Sequence, residues 1–174
     1  MPLLPDTDFP RDVMTETPIF GHAAVAAPHF LAAEAGRDIL AEGGNAIEAI
    51  IAMAAVIAVV YPHMNAIGGD GFWVIRTPDG KVRSIEACGF AGAKATISRY
   101  REKGYDAIPV RGPDAALTVA GAIGGWIKAL ELSNALGGRI PVRELLKRAE
   151  DHAVAGTPVS QSEGRYSVKE REEI

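Results

Sequence analysis

Cysteine is nearly absent: Cys88 is the single one among 174 residues. No internal disulfide can form, and no Cys/His pair has zinc-ligand spacing. Histidine is sparse as well. His22, His29, His63 and His152 stand singly along the chain, so no metal site and no cofactor is expected. Basic runs are missing; Lys plus Arg number 18 against 22 Asp plus Glu, a net charge of −4. That balance argues against nucleic acid or an anionic membrane surface as partner. Long hydrophobic runs are missing too. The longest, Ala46 to Val60, is interrupted by Glu48 and is shorter than the roughly 20 residues that span a bilayer. The opening MPLLPDTDFPRDVMTETPIF has Pro and Asp where a signal peptide needs an apolar stretch, so a soluble, cytoplasmic protein is expected. What is present is an ordinary globular composition, 48% apolar and 23% charged, at a length that suits one domain.

Residues 1–20 read as an extended leader. Ala23 to Ala27 reads as a short strand closed by Pro28. Residues 30–42 place Phe30, Leu31, Ala35, Ile39 and Leu40 near helical spacing, with Glu34, Arg37 and Asp38 on a solvated opposite face. Gly43-Gly44 stops that helix, and Asn45 can cap the next. Ala46 to Val60 is apolar almost all round, which implies burial on every side. Tyr61-Pro62 ends it. Phe72–Arg76 and Lys81–Ala87 flank Thr77-Pro78-Asp79-Gly80, a hairpin turn signal. A small-residue loop, Cys88 to Ala95, leads to a short helix over Thr96–Gly104. Then come a strand over Ala116–Ala120, a helix from Gly121 to Leu136, and another opened by Pro141 as a first-turn residue and ending near Ala153. The remainder begins as loop and finishes strongly charged.

Three features invite a chemical reading. Gly68-Gly69-Asp70-Gly71 could cradle a phosphate, but it runs into a strand rather than a helix N-terminus, and neither GxxxxGK[ST] nor GxGxxG occurs. Its glycines either let a tight loop enter a buried strand or line an active site. Cys88 could be a nucleophile displayed in a glycine-rich loop, or a small buried hydrophobe. Glu48, in the middle of the apolar helix, must be paired in the core or sit at a pocket's edge. Residue by residue, the chain holds no complete catalytic set.

The order of motifs is informative as a whole. Ala32-Ala33-Glu34-Ala35-Gly36-Arg37-Asp38-Ile39-Leu40-Ala41-Glu42-Gly43-Gly44-Asn45-Ala46, then Val59-Val60-Tyr61-Pro62 and Ile67-Gly68-Gly69-Asp70-Gly71-Phe72, resemble the start of the γ-glutamyltranspeptidase family. Leu117 to Trp126 resembles that family's strand-to-helix joint. Val142 to Ala153 with Gly156-Thr157-Pro158-Val159-Ser160 resembles a later segment. The similarity runs co-linearly over about residues 22–165.

The resemblance implies a mixed α/β (α+β) architecture, part of the N-terminal nucleophile hydrolase fold, a four-layer αββα sandwich with central antiparallel sheets. Residues 21–174 would be the N-terminal portion of the large subunit. A precursor would cut itself, and the new N-terminal threonine would attack an amide to give an acyl-enzyme. Thr7, Thr15, Thr17, Thr77, Thr96, Thr118 and Thr157 do not fit that nucleophile motif, so the catalytic threonine is expected outside residues 1–174. The partners implied are a small-molecule amide, the rest of the large subunit, and the small subunit of the same precursor.

One departure bears on substrate. The family has an arginine after the hairpin that holds the α-carboxylate of a γ-glutamyl group; the aligned residue here is Cys88. A thiol offers no bidentate cationic fork. Cys88 is thus a candidate substrate-binding residue, and hydrolysis of a small amide is the expectation, as in the cytoplasmic amidase-like branch of the family. The alternatives are genuine γ-glutamyl transfer, with Arg83 or Arg111 holding the carboxylate, and a non-catalytic scaffold.

Overall fold

The computed structural model describes residues 21, 23–169 and 171; the expected leader, residues 1–20, lies outside the described residues. Its elements in order are α1 (Phe30–Ala41), α2 (Ala46–Val60), β1 (Gly71–Arg76), β2 (Val82–Ala87), α3 (Ile97–Glu102), α4 (Ala122–Ala135), α5 (Val142–Ala155) and α6 (Gln161–Lys169). Helix α2 is central: α1 and α5 pack along it, α4 touches it, and the hairpin lies on α4. None of these helices is long and apolar enough to cross a membrane.

The α1–α2 corner follows from local chemistry. Gly43 adopts φ +85° just past the end of α1, a conformation that costs glycine little. The Asn45 side chain then accepts from the backbone N–H of Ile47 and Glu48 at 3.0 and 3.1 Å, and the Glu48 carboxylate accepts in return from Asn45 N at 2.8 Å. This reciprocal capping box satisfies free donors of the first turn. Small residues set the helix spacing; a Cβ on Gly36 would reach within 2.6 Å of Met53 Cγ.

Glu48 also settles the second half of the fold. It is 1% exposed, and its Oε1 accepts from the backbone N–H of Arg139 and Ile140 at 2.7 and 2.8 Å. Asn45 Nδ2 donates to Ser133 Oγ at 2.8 Å. The turn before α2 is thereby bonded to the end of α4 and to the connection that launches α5. Arg37 and Asp38, expected to be solvated, are half-buried and paired: Arg37 donates to Asp38 at 3.0 and 2.8 Å. Arg148 of α5 bonds the other oxygen of Asp38.

The hairpin is antiparallel, with Gly71 opposite Ala87 and Arg76 opposite Val82. Trp73 and Ala87 are buried and Ile85 is half-buried, whereas Phe72 and Val74 are 71% and 82% exposed, the alternation expected of a strand with one covered face. Trp73 lies over Gly125 of α4, where a Cβ would come within 3.1 Å of the indole nitrogen. The start of α4 is held by the carbonyl of Gly69, which accepts from Gly121 N and Ala122 N at 3.1 and 3.0 Å.

Several expectations change. Ala23–Ala27 forms no strand; it finds no hydrogen-bonded neighbour among the described residues, and Val25 lies against Gly36 instead. Ala116–Ala120 reduces to one bridge, Ala91 with Thr118. Pro141 caps α5 from an extended conformation, φ −60° and ψ 143°, instead of occupying its first turn. The charged tail contains α6, started by Ser160 Oγ accepting from Glu163 N at 3.2 Å. Helix α2 is not buried all round; Ile50 is 46% exposed.

Two predictions follow from these junctions. Glu48→Ala would leave three part-buried backbone N–H groups without their acceptor, and should cost about 3 kcal/mol or more. Glu48→Gln, which keeps the shape and one acceptor oxygen, should cost less; denaturant midpoints of the full-length variants check both. The second compares glycines. A methyl at Gly121 would overlap the carbonyl of Ala87, and one at Gly89 the carbonyl of Val119, whereas Gly68 has nothing within 4 Å of its missing Cβ. Gly121→Ala and Gly89→Ala should each cost about 1–3 kcal/mol, and Gly68→Ala should fall within about 0.5 kcal/mol of wild type.

Candidate functional site

The segment between α2 and β1 forms one wall of an open cleft of about 780 Å³. Helix α2 contributes Ile50, Ala54 and Ile57, β1 contributes Phe72 and Val74, and α4 contributes Trp126. Asn65 and Asp70 are its polar lining residues, and His63 borders it with both ring nitrogens buried. The Gly68–Gly71 loop is therefore a cleft wall that also anchors α4, and the surroundings of its three glycines do not demand glycine. Gly71 has ordinary contacts at its missing Cβ, the nearest being Ala122 Cα at 3.6 Å.

Cys88 leaves the ladder at the end of β2, outside the residues that line this cleft. It is half-buried, neither the sealed hydrophobe nor the open nucleophile that its sequence context allowed. Its Sγ donates to Glu86 Oε1 at 3.4 Å. That hydrogen bond pushes the thiol above its ordinary range, and desolvation and the charges of Glu86 and Asp70 act the same way. A thiolate is disfavoured here, which is the reverse of what a catalytic cysteine requires.

Glu86 and Asp70 are the neighbours that sequence reasoning missed. The hairpin register was the available signal: with Gly71 opposite Ala87, Asp70 and Cys88 leave the ladder at the same end, and Glu86 shares the face of Cys88 at a spacing of two. The same register separates Arg83 from Cys88, because Arg83 pairs with Ile75 toward the turn. Arg111 belongs to the loop after α3, in the excursion that Asp114 ties back through Lys103 and Arg99.

Glu48 serves the core and not a pocket, as the bonds above establish. The described threonines have structural roles where their bonds are seen. Thr77 Oγ1 donates to the carbonyl of Lys81 at 3.0 Å and to Asp79 within the hairpin turn. Thr96 caps α3 by accepting from Arg99 N. Among the described residues no group of three or more His, Cys, Asp or Glu could hold a metal ion.

Comparison with known proteins places this geometry. The chain is 50% identical over 154 residues to the oxamate amidohydrolase proenzyme of Klebsiella pneumoniae, covering 88% of this chain and 29% of that protein. It is 41% identical over 146 residues to the glutathione hydrolase-like YwrD proenzyme of Bacillus subtilis, covering 83% and 27%. Among solved structures, the γ-glutamyltranspeptidase of Helicobacter pylori matches with a TM-score of 0.79 at 29% identity, over 90% of this chain and 44% of that one. The chain thus spans less than a third of the length of these curated relatives, and its helices and antiparallel hairpin are part of the N-terminal nucleophile hydrolase fold. The family model described as gamma-glutamyltranspeptidase matches residues 32–174, and the chain belongs to the γ-glutamyltranspeptidase family.

Proposed function

We propose that this chain is the N-terminal portion of the large subunit of a self-cleaving amidohydrolase that acts on a small amide. In this reading the nucleophilic threonine comes from a later part of the same precursor, and its free α-amine acts as the base. The remaining large-subunit segments and the small subunit are the protein partners. The location is cytoplasmic, following the amidase-like branch that the chain resembles. Half of the aligned residues are shared with an oxamate amidohydrolase proenzyme, which supports hydrolysis of a small amide.

The observation that carries the substrate reading is Cys88 with its neighbours. At the position that resembles the family's carboxylate-holding arginine, the chain has a thiol bonded to Glu86 and close to Asp70. Such a corner supplies no cation for the α-carboxylate of a γ-glutamyl donor. Cys88 then shapes the acyl pocket without taking part in bond making. Genuine γ-glutamyl transfer is favoured by the likeness to the Helicobacter pylori enzyme, but Arg83, one candidate to replace the arginine, lies toward the other end of the hairpin.

Full-length protein assayed on oxamate, glutathione and a γ-glutamyl anilide separates the readings. Hydrolysis of oxamate should exceed turnover of the anilide; strong anilide turnover would overturn the proposal. Cys88→Ser should self-cleave normally and lose no more than about tenfold in kcat/KM, about 1.4 kcal/mol. Complete loss of hydrolysis in a folded, self-cleaved serine variant would make Cys88 the nucleophile. Cys88→Arg should still fold, because Glu86 and Asp70 offer the new charge partners.

A further inference from the structure

The cleft beside α2 runs along an unpaired strand edge. Phe72, Trp73 and Val74 line it in succession, although successive side chains of a strand point to opposite faces. A surface that meets all three must follow the edge of β1. Among the described residues that edge has no strand against it, because β1 pairs with β2 alone, on its other side. The hairpin lies on α4, and Ile50, Ala54 and Ile57 of α2 bound the cleft opposite β1. We infer that the cleft is a slot for a third strand: an apolar segment from the remainder of the same precursor pairs with the free edge of β1 and covers the outer side of α2 as the hairpin covers α4. The inference rests on the reading of this chain as one portion of a longer precursor.

The two edges of the hairpin differ in a way that selects this one. Strand β2 carries Arg83 and Glu86, with Lys81 just before it, and charged side chains keep an exposed edge from recruiting another strand. From Gly71 to Ile75, β1 has no charged residue. An uncharged edge beside an apolar helix face is a template for pairing when left open. A strand placed there brings its own backbone donors and acceptors to the edge.

Size and shape identify the occupant. The matched residues make up 29% and 27% of the two proenzymes to which the chain is similar, so a precursor of that kind has ample length to supply a strand. A second copy fits poorly. The β1 edge lies within the cleft, flanked by α2 and by Pro62, Met64 and Asn65, so two such edges cannot meet each other. A small amide fits poorly too. Asn65 and Asp70 are the polar lining side chains of a cleft of about 780 Å³, which leaves most of it without a partner for a polar ligand.

Hydrogen exchange resolved to single amides on the full-length precursor tests the slot. An edge strand bonds only alternate amides to its one neighbour, so an open β1 would show every second amide exchanging freely. With a third strand in place, all amides from Phe72 to Ile75 should exchange at least about 100-fold more slowly than in an unstructured chain. A photoreactive benzophenone attached to the thiol of an Ile50→Cys, Cys88→Ser variant should crosslink, on illumination, to a segment of the same polypeptide beyond residue 174. Free exchange at alternate β1 amides would overturn the inference. So would a crosslink from residue 50 to a second polypeptide or only within residues 1–174, or protection that arises only when oxamate is added. Neither readout depends on which amide is hydrolysed, so the slot and the substrate reading stand or fall separately.

Discussion

A carboxylate inside an apolar helix is the constraint around which the described fold is arranged. Left alone, the Glu48 side chain would make α2 a poor core helix, because burying an unpartnered polar group opposes folding. Instead each of its oxygens accepts from backbone N–H groups that would otherwise be orphaned: one belongs to the turn before α2, and two to the segment that follows α4. Those two donors are 91 and 92 residues away in the chain. The carboxylate thus converts a local helix cap into a long-range clamp. With Asn45 bonded to Ser133, it determines where α4 ends and from which direction α5 approaches α2.

The consequence is a helix with two unlike sides. Its inner side, with Ile51, Ala52, Ala55 and Val56 buried, is committed to α1 and α5. Its outer side, with Ile50, Ala54 and Ile57, forms one wall of the cleft whose opposite wall is the exposed face of β1. An apolar helix need not be enclosed to be stable when its polar demands are met at one end. Here the capping box and the clamp meet them within its first turn, and the rest of its length is free to present apolar side chains on both sides.

Local chemistry was legible in the sequence wherever it acts between near neighbours. Asn45 before an apolar run announces the start of α2, Tyr61-Pro62 its end, and Thr77-Pro78-Asp79-Gly80 the hairpin, because each signal is a dihedral or a cap within a few residues. Glu48 stood out as needing a partner, but backbone donors carry no side-chain signature, so Arg139 N and Ile140 N could not be named. Helix α6 escaped notice because its residues are polar and bury no complete face, leaving no apolar period to read. The strands read at Ala23–Ala27 and Ala116–Ala120 failed for the opposite reason. Their composition suits a strand, but a strand exists only where a neighbour accepts its hydrogen bonds. The ring contacts among His29, Tyr61, His63 and Tyr166 join residues far apart in the chain and are a product of the fold alone.

The corner at Cys88 has a further consequence for the substrate, if that corner borders the acyl pocket as proposed. An arginine there would lie between Glu86 and Asp70 and be paired before any substrate arrived, so its cationic fork would be oriented as well as charged. With cysteine in its place, the thiol donates a hydrogen bond to Glu86, and the charge of Asp70 is still felt at the sulfur. Glu86 and Asp70 make the local field at the sulfur negative, and such a field disfavours an anionic group. An amide substrate carrying a carboxylate must then point that charge away from Cys88 and bring its neutral carbonyl end toward it. On that proposal the exchange of one residue does more than remove a contact: it takes one positive charge from a corner that holds Glu86 and Asp70, and so biases the orientation in which a small anionic amide binds.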